Sequence, residues 1–355
     1  MNWMSIVRTL LIPTMSLILV CASEALAQET SVLKSLAPTP FVGDQASEQM
    51  SPQSEDWSTA RLSDHEPSNA EPIVGQVDDS DPAFTRELTR VQWRAGDPID
   101  LYIIKPKGIK KPQVILYLYS FPSENDRYLS AEFCRFLTRN GFAAIGFNPA
   151  LTGNRDQGRP MKQWFVSELQ ESLATSAHDV QLVLNYLATR NDLNVERVGM
   201  FGDGSGATIA ILAAAVDQRI QALDLLDPWG DWPDWIAKST LVPEKERPEF
   251  LKPKFLDSVA RLDPVQWLAE LKTKKIRIQD VKSVTVTPTE ARERIEGAAP
   301  AGTLIVRYED AKAFLRTAST GQGFDWVKNQ LKQETSQESA SGVALSMSGS
   351  RGQVR

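Results

Sequence analysis

Residues 197–215 read R-V-G-M-F-G-D-G-S-G-A-T-I-A-I-L-A-A-A. The apolar run 198–201 is typical of a short buried strand, and the small apolar residues 208–215 are typical of a buried helix. Glycines stand between them at every second position, at 202, 204 and 206. A strand, a glycine turn and a buried helix form the setting of a nucleophile elbow, where the nucleophile is flanked by small residues because the chain bends too sharply for side chains.

The rest of the chain predicts further strands, with which the strand of this segment forms a sheet. Strand-like runs at 87–93 and 99–104 surround Gly96 and Asp97, which predicts an antiparallel hairpin. The run 114–119 (V-I-L-Y-L-Y) is continuously apolar, as in a strand buried on both faces. Strand and helix patterns then alternate to the end of the folded part, which predicts an α/β fold with a mostly parallel sheet and helices on both faces.

This order resembles the α/β-hydrolase superfamily over about residues 85–331. It is most similar to the dienelactone-hydrolase and prolyl-oligopeptidase-like branch. The resemblance rests on the elbow, on P-K-G at 106–108 before the first central strand, and on D-L-N-V-E-R-V-G at 192–199 leading into the elbow. It implies a catalytic triad in the chain order nucleophile, acid, histidine, together with an oxyanion hole.

The positions that the resemblance assigns to the triad carry other residues. Gly202 and Gly206 take the small positions of the elbow, so the nucleophile position falls on Gly204, which has no side chain. The acid position holds Ser283 and the histidine position holds Lys312. The chain has no histidine after His178, which lies in a predicted helix ahead of the elbow. The triad is therefore predicted to be degenerate, and the chain is interpreted as a pseudo-hydrolase with a binding or scaffolding role.

Two other interpretations stay open. In the first, the chain is an active esterase or peptidase that uses Ser205 with Lys312, which shifts the elbow by one residue, or Asp203 as a carboxylate nucleophile, which shifts it the other way. Asp227 is the alternative acid in that case, although it also suits a turn before Pro228. In the second, the glycines of 202–207 bind a dinucleotide, with Asp224 or Asp227 as the acid about twenty residues on.

A ligand pocket is predicted at the same end of the sheet. Its rim is assigned to Tyr119 and Ser120 after the first central strand, and to the tryptophans Trp229, Trp232 and Trp235 of the irregular segment 228–264. Those tryptophans equally suit packing of that segment onto the sheet. Two histidines and one cysteine beyond residue 27 give no cluster for a metal, and no cofactor is expected.

Composition and the two ends of the chain bear on the partners, the export and the domain boundaries of the protein. The net charge of −6 over 355 residues argues against nucleic acid as a partner. Residues 1–27 are predicted to be a signal peptide with an A-L-A cleavage site, so the product is expected to be exported, periplasmic or secreted, with no membrane span after processing. Residues 28–81 are predicted to be a disordered acidic linker, 82–332 the folded domain and 333–355 a disordered tail. A small molecule or a component of the cell envelope is the expected kind of partner.

Overall fold

The computed structural model describes residues 72–94, 97–121, 125–155, 165–272, 274–321 and 323–332. The predicted signal peptide, nearly all of the predicted linker and the predicted tail lie outside these residues. None of the helices in the described ranges is both long and apolar enough to cross a membrane.

The strands of the described residues join in one nine-stranded sheet with the order β1-β2-β3-β5-β4-β6-β7-β8-β9. Their bounds are β1 Ile73–Asp78, β2 Phe84–Arg94, β3 Asp97–Pro106, β4 Gln113–Leu118, β5 Ala143–Gly146, β6 Asn194–Asp203, β7 Ile220–Leu226, β8 Lys275–Val281 and β9 Leu304–Tyr308. The first three strands and the β3–β5 pair run antiparallel, whereas β4 pairs in parallel with β5 and β6, and parallel pairing continues to β9. The predicted mostly parallel sheet with an N-terminal antiparallel hairpin is confirmed.

Helices connect the parallel strands. They are α1 Ala131–Thr138, α2 Leu169–Ala188, α3 Ser205–Val216, α4 Trp232–Lys238, α5 Arg247–Phe250, α6 Pro253–Val259, α7 Pro264–Leu268, α8 Thr289–Ala298, α9 Ala311–Ser319, and α10 over 323–332. Side chains of the central strands alternate between two hydrophobic clusters, with Leu116 in one and Tyr117 in the other, so both faces of the sheet are covered. Cys134 on α1 is buried in the second cluster.

Strand β1 corrects one predicted boundary. It lies inside the segment 28–81 that the composition predicts to be disordered, so the ordered part of the chain begins before residue 82. Five of its six residues are exposed, and the strand is held by its ladder to β2 and by an ion pair between Asp78 and Arg86. An edge strand exposed on both faces needs no alternation of polar and apolar residues, which is why the sequence pattern does not reveal it.

Candidate functional site

The elbow forms where β6 ends and α3 begins. Asp203 is the last residue of β6, Gly204 stands at the bend, and Ser205 is the first residue of α3. Gly204 has φ 53° and ψ −117°, a backbone conformation that side chains strongly disfavour. A glycine adopts this bend without strain, and any other residue must be held there by its surroundings.

The glycines on either side are required by close packing. A Cβ on Gly202 would lie 2.5 Å from the Cα of Ala207, and a Cβ on Gly206 would lie 2.5 Å from the carbonyl oxygen of Leu118. Both neighbours are backbone atoms, which cannot swing aside as a side chain can. The first turn of α3 therefore packs directly against β6 and β4 at these two points.

The space in front of Gly204 is already occupied. A Cβ on Gly204 would lie 2.5 Å from the Oγ of Ser120 and 3.0 Å from the Nε1 of Trp229. A side chain at this position would therefore displace Ser120, which is half-buried at the end of β4, or Trp229, which is buried.

Ser205 and Lys312 are not brought together. Ser205 is 0% exposed, and its Oγ accepts a hydrogen bond of 2.9 Å from the backbone N–H of Phe121. Lys312 lies on α9 with its side chain exposed to solvent. A hydroxyl that is closed off from solvent and points to a backbone amide has neither a base nor access to a substrate.

The two residues considered for the acid position of a triad, Ser283 and Asp227, are turn residues. Ser283 is exposed in the turn after β8. Asp227 follows β7 with φ 42°, and its Oδ1 accepts a hydrogen bond of 3.0 Å from the N–H of Val281. Asp227 also lies 3.5 Å from a guanidinium nitrogen of Arg292. These contacts hold the end of β7 to the end of β8, as expected of a turn residue.

The sequence alone does not reveal the polar cluster beneath this turn. Asp280 on β8 is 1% exposed, and its Oδ1 lies 3.4 Å from the Nε of Arg292 on α8. Burial, followed by a hydrogen bond with Glu296 and the charge of Asp227, raises the pKa of Asp280 to about 8. Burial therefore favours the neutral form of Asp280, and no pattern in the sequence distinguishes it from the other acids nearby.

The tryptophans predicted to form the pocket rim are core residues, which corrects that prediction. Trp229, Trp232 and Trp235 are 2%, 1% and 0% exposed. Their rings pack on one another, with centroids 5.3 Å apart for Trp229 and Trp235 and 5.8 Å apart for Trp232 and Trp235. Burying three large aromatic side chains stabilises the segment 228–264 on the sheet, and this leaves none of the three facing solvent. Of the five predicted rim residues, Tyr119 and Ser120 are half-buried.

Arg127 is a site residue that the sequence reasoning missed. It lies in a short 3₁₀ turn, Asp126–Leu129, and its guanidinium carbon is 3.7 Å from the centroid of the Tyr119 ring. Its positive charge acts on Asp203, whose pKa burial nevertheless raises to about 6. An arginine in a polar turn carries no sequence signal of its own, so only the fold shows that it lies beside the elbow.

The two acids considered for dinucleotide binding have partners within the protein. Asp224, one of the two acids considered for a ribose, is 0% exposed and forms an ion pair with Arg277. The other, Asp227, accepts the hydrogen bond from the N–H of Val281 described above. Within the described ranges, His, Cys, Asp and Glu side chains form no group of three or more that would hold a metal ion. His178 lies half-buried in the middle of α2.

Comparison with known proteins identifies structures of similar fold. No family model matches the chain, and no curated protein is a significant match. Among solved structures, an acetyl xylan esterase from Paenibacillus sp. R4 is similar with a TM-score of 0.56 at 14% identity, covering 77% of this chain and 90% of that one. Acetyl xylan esterase 1 from Thermoanaerobacterium sp. JW/SL YS485 gives 0.55 at 14% identity, with 76% and 92% covered.

Peptidases are also among the similar structures. The acylaminoacyl peptidase of Pyrococcus horikoshii gives a TM-score of 0.54 at 13% identity, covering 68% of this chain and 40% of that one. At such identities the likeness concerns the fold alone. These esterases and peptidases share one architecture, and this chain therefore has the α/β-hydrolase fold.

Proposed function

We propose that the chain is an exported protein that keeps the α/β-hydrolase fold without its chemistry and serves a binding or scaffolding role. The observation that carries this proposal is Gly204. It stands at the bend between β6 and α3, where the resemblance places the nucleophile, and it has no side chain that attacks a carbonyl.

The other assigned positions support the same conclusion. An exposed serine at 283 cannot orient a base, and an exposed lysine at 312 has no partner hydroxyl at the elbow. The chain also has no histidine after residue 178, so no imidazole follows the elbow in the sequence. A catalytic triad works as a unit, and loss of its parts together leaves little for the remaining groups to do.

Ester hydrolysis tests the loss of chemistry. We expect the purified chain to show no turnover of 4-nitrophenyl acetate above buffer and no labelling by a fluorophosphonate probe. We expect Ser205→Ala to change neither result. We also expect Gly204→Ser to gain no activity, because its Cβ would lie 2.5 Å from the Oγ of Ser120. An active serine esterase run in parallel is the positive control.

One result would contradict the proposal outright. Turnover that is present in the unchanged chain and lost in Ser205→Ala would show that Ser205 attacks the ester. Its hydroxyl would then have to leave the N–H of Phe121, to which it is bonded. The elbow would in that case be shifted by one residue.

Export is the second part of the proposal and has a separate test. It rests on the apolar run 10–20 and on A-L-A at 25–27. When the full chain is produced in a bacterial host with a secretion system, we expect the recovered product to begin at Gln28 by mass spectrometry. A product that keeps residues 1–27 and stays in the cytoplasm would overturn this part and leave the catalytic part untouched.

A further inference from the structure

Strand β1 forms an exposed apolar edge of the sheet. Ile73, Val74 and Val77 are 66%, 56% and 56% exposed, which makes them the most exposed large apolar side chains of the described residues. Among those residues β1 pairs with β2 alone and stands at one end of the sheet, so the backbone N–H and C=O groups of its outer side face away from the other strands. An apolar edge of this kind is a template for pairing with a further strand.

The register of β1 on β2 makes the strand complementary to itself. Val74 and Gln76 lie opposite consecutive residues of β2, so Gly75 between them is an extra residue. In a regular strand, residues three apart point to opposite faces. The extra residue instead puts Val74 and Val77 on the same face. In an antiparallel pair of two β1 strands, centred between Gly75 and Gln76, each Val74 therefore lies opposite Val77 of the second copy.

Charge also favours this antiparallel arrangement. Asp78 is the only charged residue of β1, and it stands at the end of the strand in an ion pair with Arg86. In the antiparallel pair the two copies of Asp78 lie at opposite ends, roughly 17 Å apart along the strands. Each stands opposite Ile73 of the second copy, and Arg90 lies next to that Ile73 on β2. A parallel pair would set the two carboxylates side by side, where they repel each other.

We propose that β1 is the interface of a homodimer, in which β1 of one copy pairs antiparallel with β1 of a second copy. The two nine-stranded sheets then form one continuous sheet. The new ladder satisfies backbone groups of the outer edge, and Val74 and Val77 of both copies form one apolar patch on a single face of it. The same strand and the same side chains serve both copies, so the interface is isologous.

The symmetry of this interface limits the assembly to two copies. Pairing of β1 with β1 uses the exposed edge of both copies, and nothing of that edge is left for a third. Pairing of β1 with the opposite edge strand β9 would leave a β1 and a β9 at the two ends, so further chains would add without limit. A ladder of six residues is short, and the dimer is therefore expected to dissociate on dilution.

Analytical ultracentrifugation of the purified chain tests the proposal. We expect a reversible equilibrium between one chain and two chains from micromolar to near-millimolar concentration. Val74→Glu and Val77→Lys should each weaken the dimer about tenfold or more, because each sets a charge against an apolar side chain on both sides of the twofold axis. Both positions are exposed, and the lysine introduced at position 77 lies opposite Glu87 of β2, so both variants should keep the fold.

The double variant Val74→Glu/Val77→Lys tests the register. In the antiparallel pair each introduced carboxylate lies opposite an introduced ammonium group of the second copy, so the affinity should return to within about threefold of that of the unchanged chain. Leu304→Glu is the matched control. Leu304 is 44% exposed at the start of β9, on the other edge of the sheet, and its replacement should leave the dimer unchanged. Thermal unfolding shows that each variant is folded.

Three results in the centrifuge would overturn the inference: a single chain at every concentration, a dimer that Val74→Glu leaves intact, and no recovery in the double variant. Hydrogen exchange then identifies what covers the edge. In the proposed dimer, the outward amides of β1 exchange faster on dilution. Protection that persists at every dilution in a single chain would assign the edge to residues 28–71 of the same chain. Loss of the dimer in Leu304→Glu alone would assign the interface to β9.

Discussion

Replacing Arg292 with methionine is expected to lower the free energy of unfolding by about 3–5 kcal/mol. Arg292 lies on α8 with 6% of its surface exposed. Its Nη2 donates to the carbonyl oxygens of Val281, Val284 and Thr287, at 3.3, 3.1 and 3.2 Å. These carbonyls belong to the last residue of β8 and to the turn that follows it, so one guanidinium holds the turn in which the acid of an active enzyme is expected.

Methionine keeps most of the volume of the arginine and removes all of its donors. Each buried carbonyl that loses its donor costs about 1–3 kcal/mol unless water replaces it. Asp227, 3.5 Å from the guanidinium, loses a neighbouring positive charge as well. The expected loss therefore exceeds what a single hydrogen bond contributes.

Urea unfolding followed by tryptophan fluorescence measures the effect, and Arg294→Met is the control. Arg294 lies two residues along the same helix with its side chain 64% exposed, 3.3 Å from Asp231. The Arg294 guanidinium lies largely in water, so this control should cost clearly less than Arg292→Met, although its partner Asp231 is only 8% exposed. Equal losses in the two variants would show that the turn does not depend on Arg292.

The sequence predicts the elbow and the sheet because their signals are local. Glycines at every second position mark the bend at 202–206, and a run such as 114–119 marks a strand buried on both faces. These patterns follow from packing that the backbone itself imposes. The order of strands and helices then follows from the rules of chain connection.

The surroundings of the site are not predictable in the same way. The three carbonyls bound by Arg292 lie five to eleven positions before it and carry no residue signature. Tryptophans in an irregular segment suit a pocket rim and a core equally, and the fold decides that Trp229 and its neighbours are buried. The charge of Arg127 acts on Asp203 although the two residues lie far apart in the sequence.

Replacing Gly202 with alanine is expected to cost about 3 kcal/mol or more, because overpacking at this point cannot be relieved by a rotamer change. The added Cβ would lie 2.5 Å from the Cα of Ala207, 2.6 Å from its nitrogen and 2.5 Å from the carbonyl oxygen of Gly206. All three are backbone atoms of α3. Relief requires the helix to move away from β6, and α3 is buried along most of its length.

Gly297→Ala is a control of opposite sign. Gly297 lies in α8, and a Cβ there meets nothing within 4 Å. Alanine in a helix is favoured over glycine by about 1 kcal/mol, so this variant should be slightly more stable than the unchanged chain. Urea unfolding of the two variants therefore compares the same chemical change at a closed position and at an open one.

The Gly202 result also decides whether Gly204 or Ser205 stands at the nucleophile position of the elbow. If Gly204 stands at the nucleophile position, the small positions are 202 and 206, and Gly202→Ala must be destabilising. If Ser205 were the nucleophile, the small positions would be 203 and 207, and position 202 would accept a methyl group. Unchanged stability in Gly202→Ala would therefore contradict the contact between β6 and α3 and remove the main support for a hydrolase fold without a nucleophile.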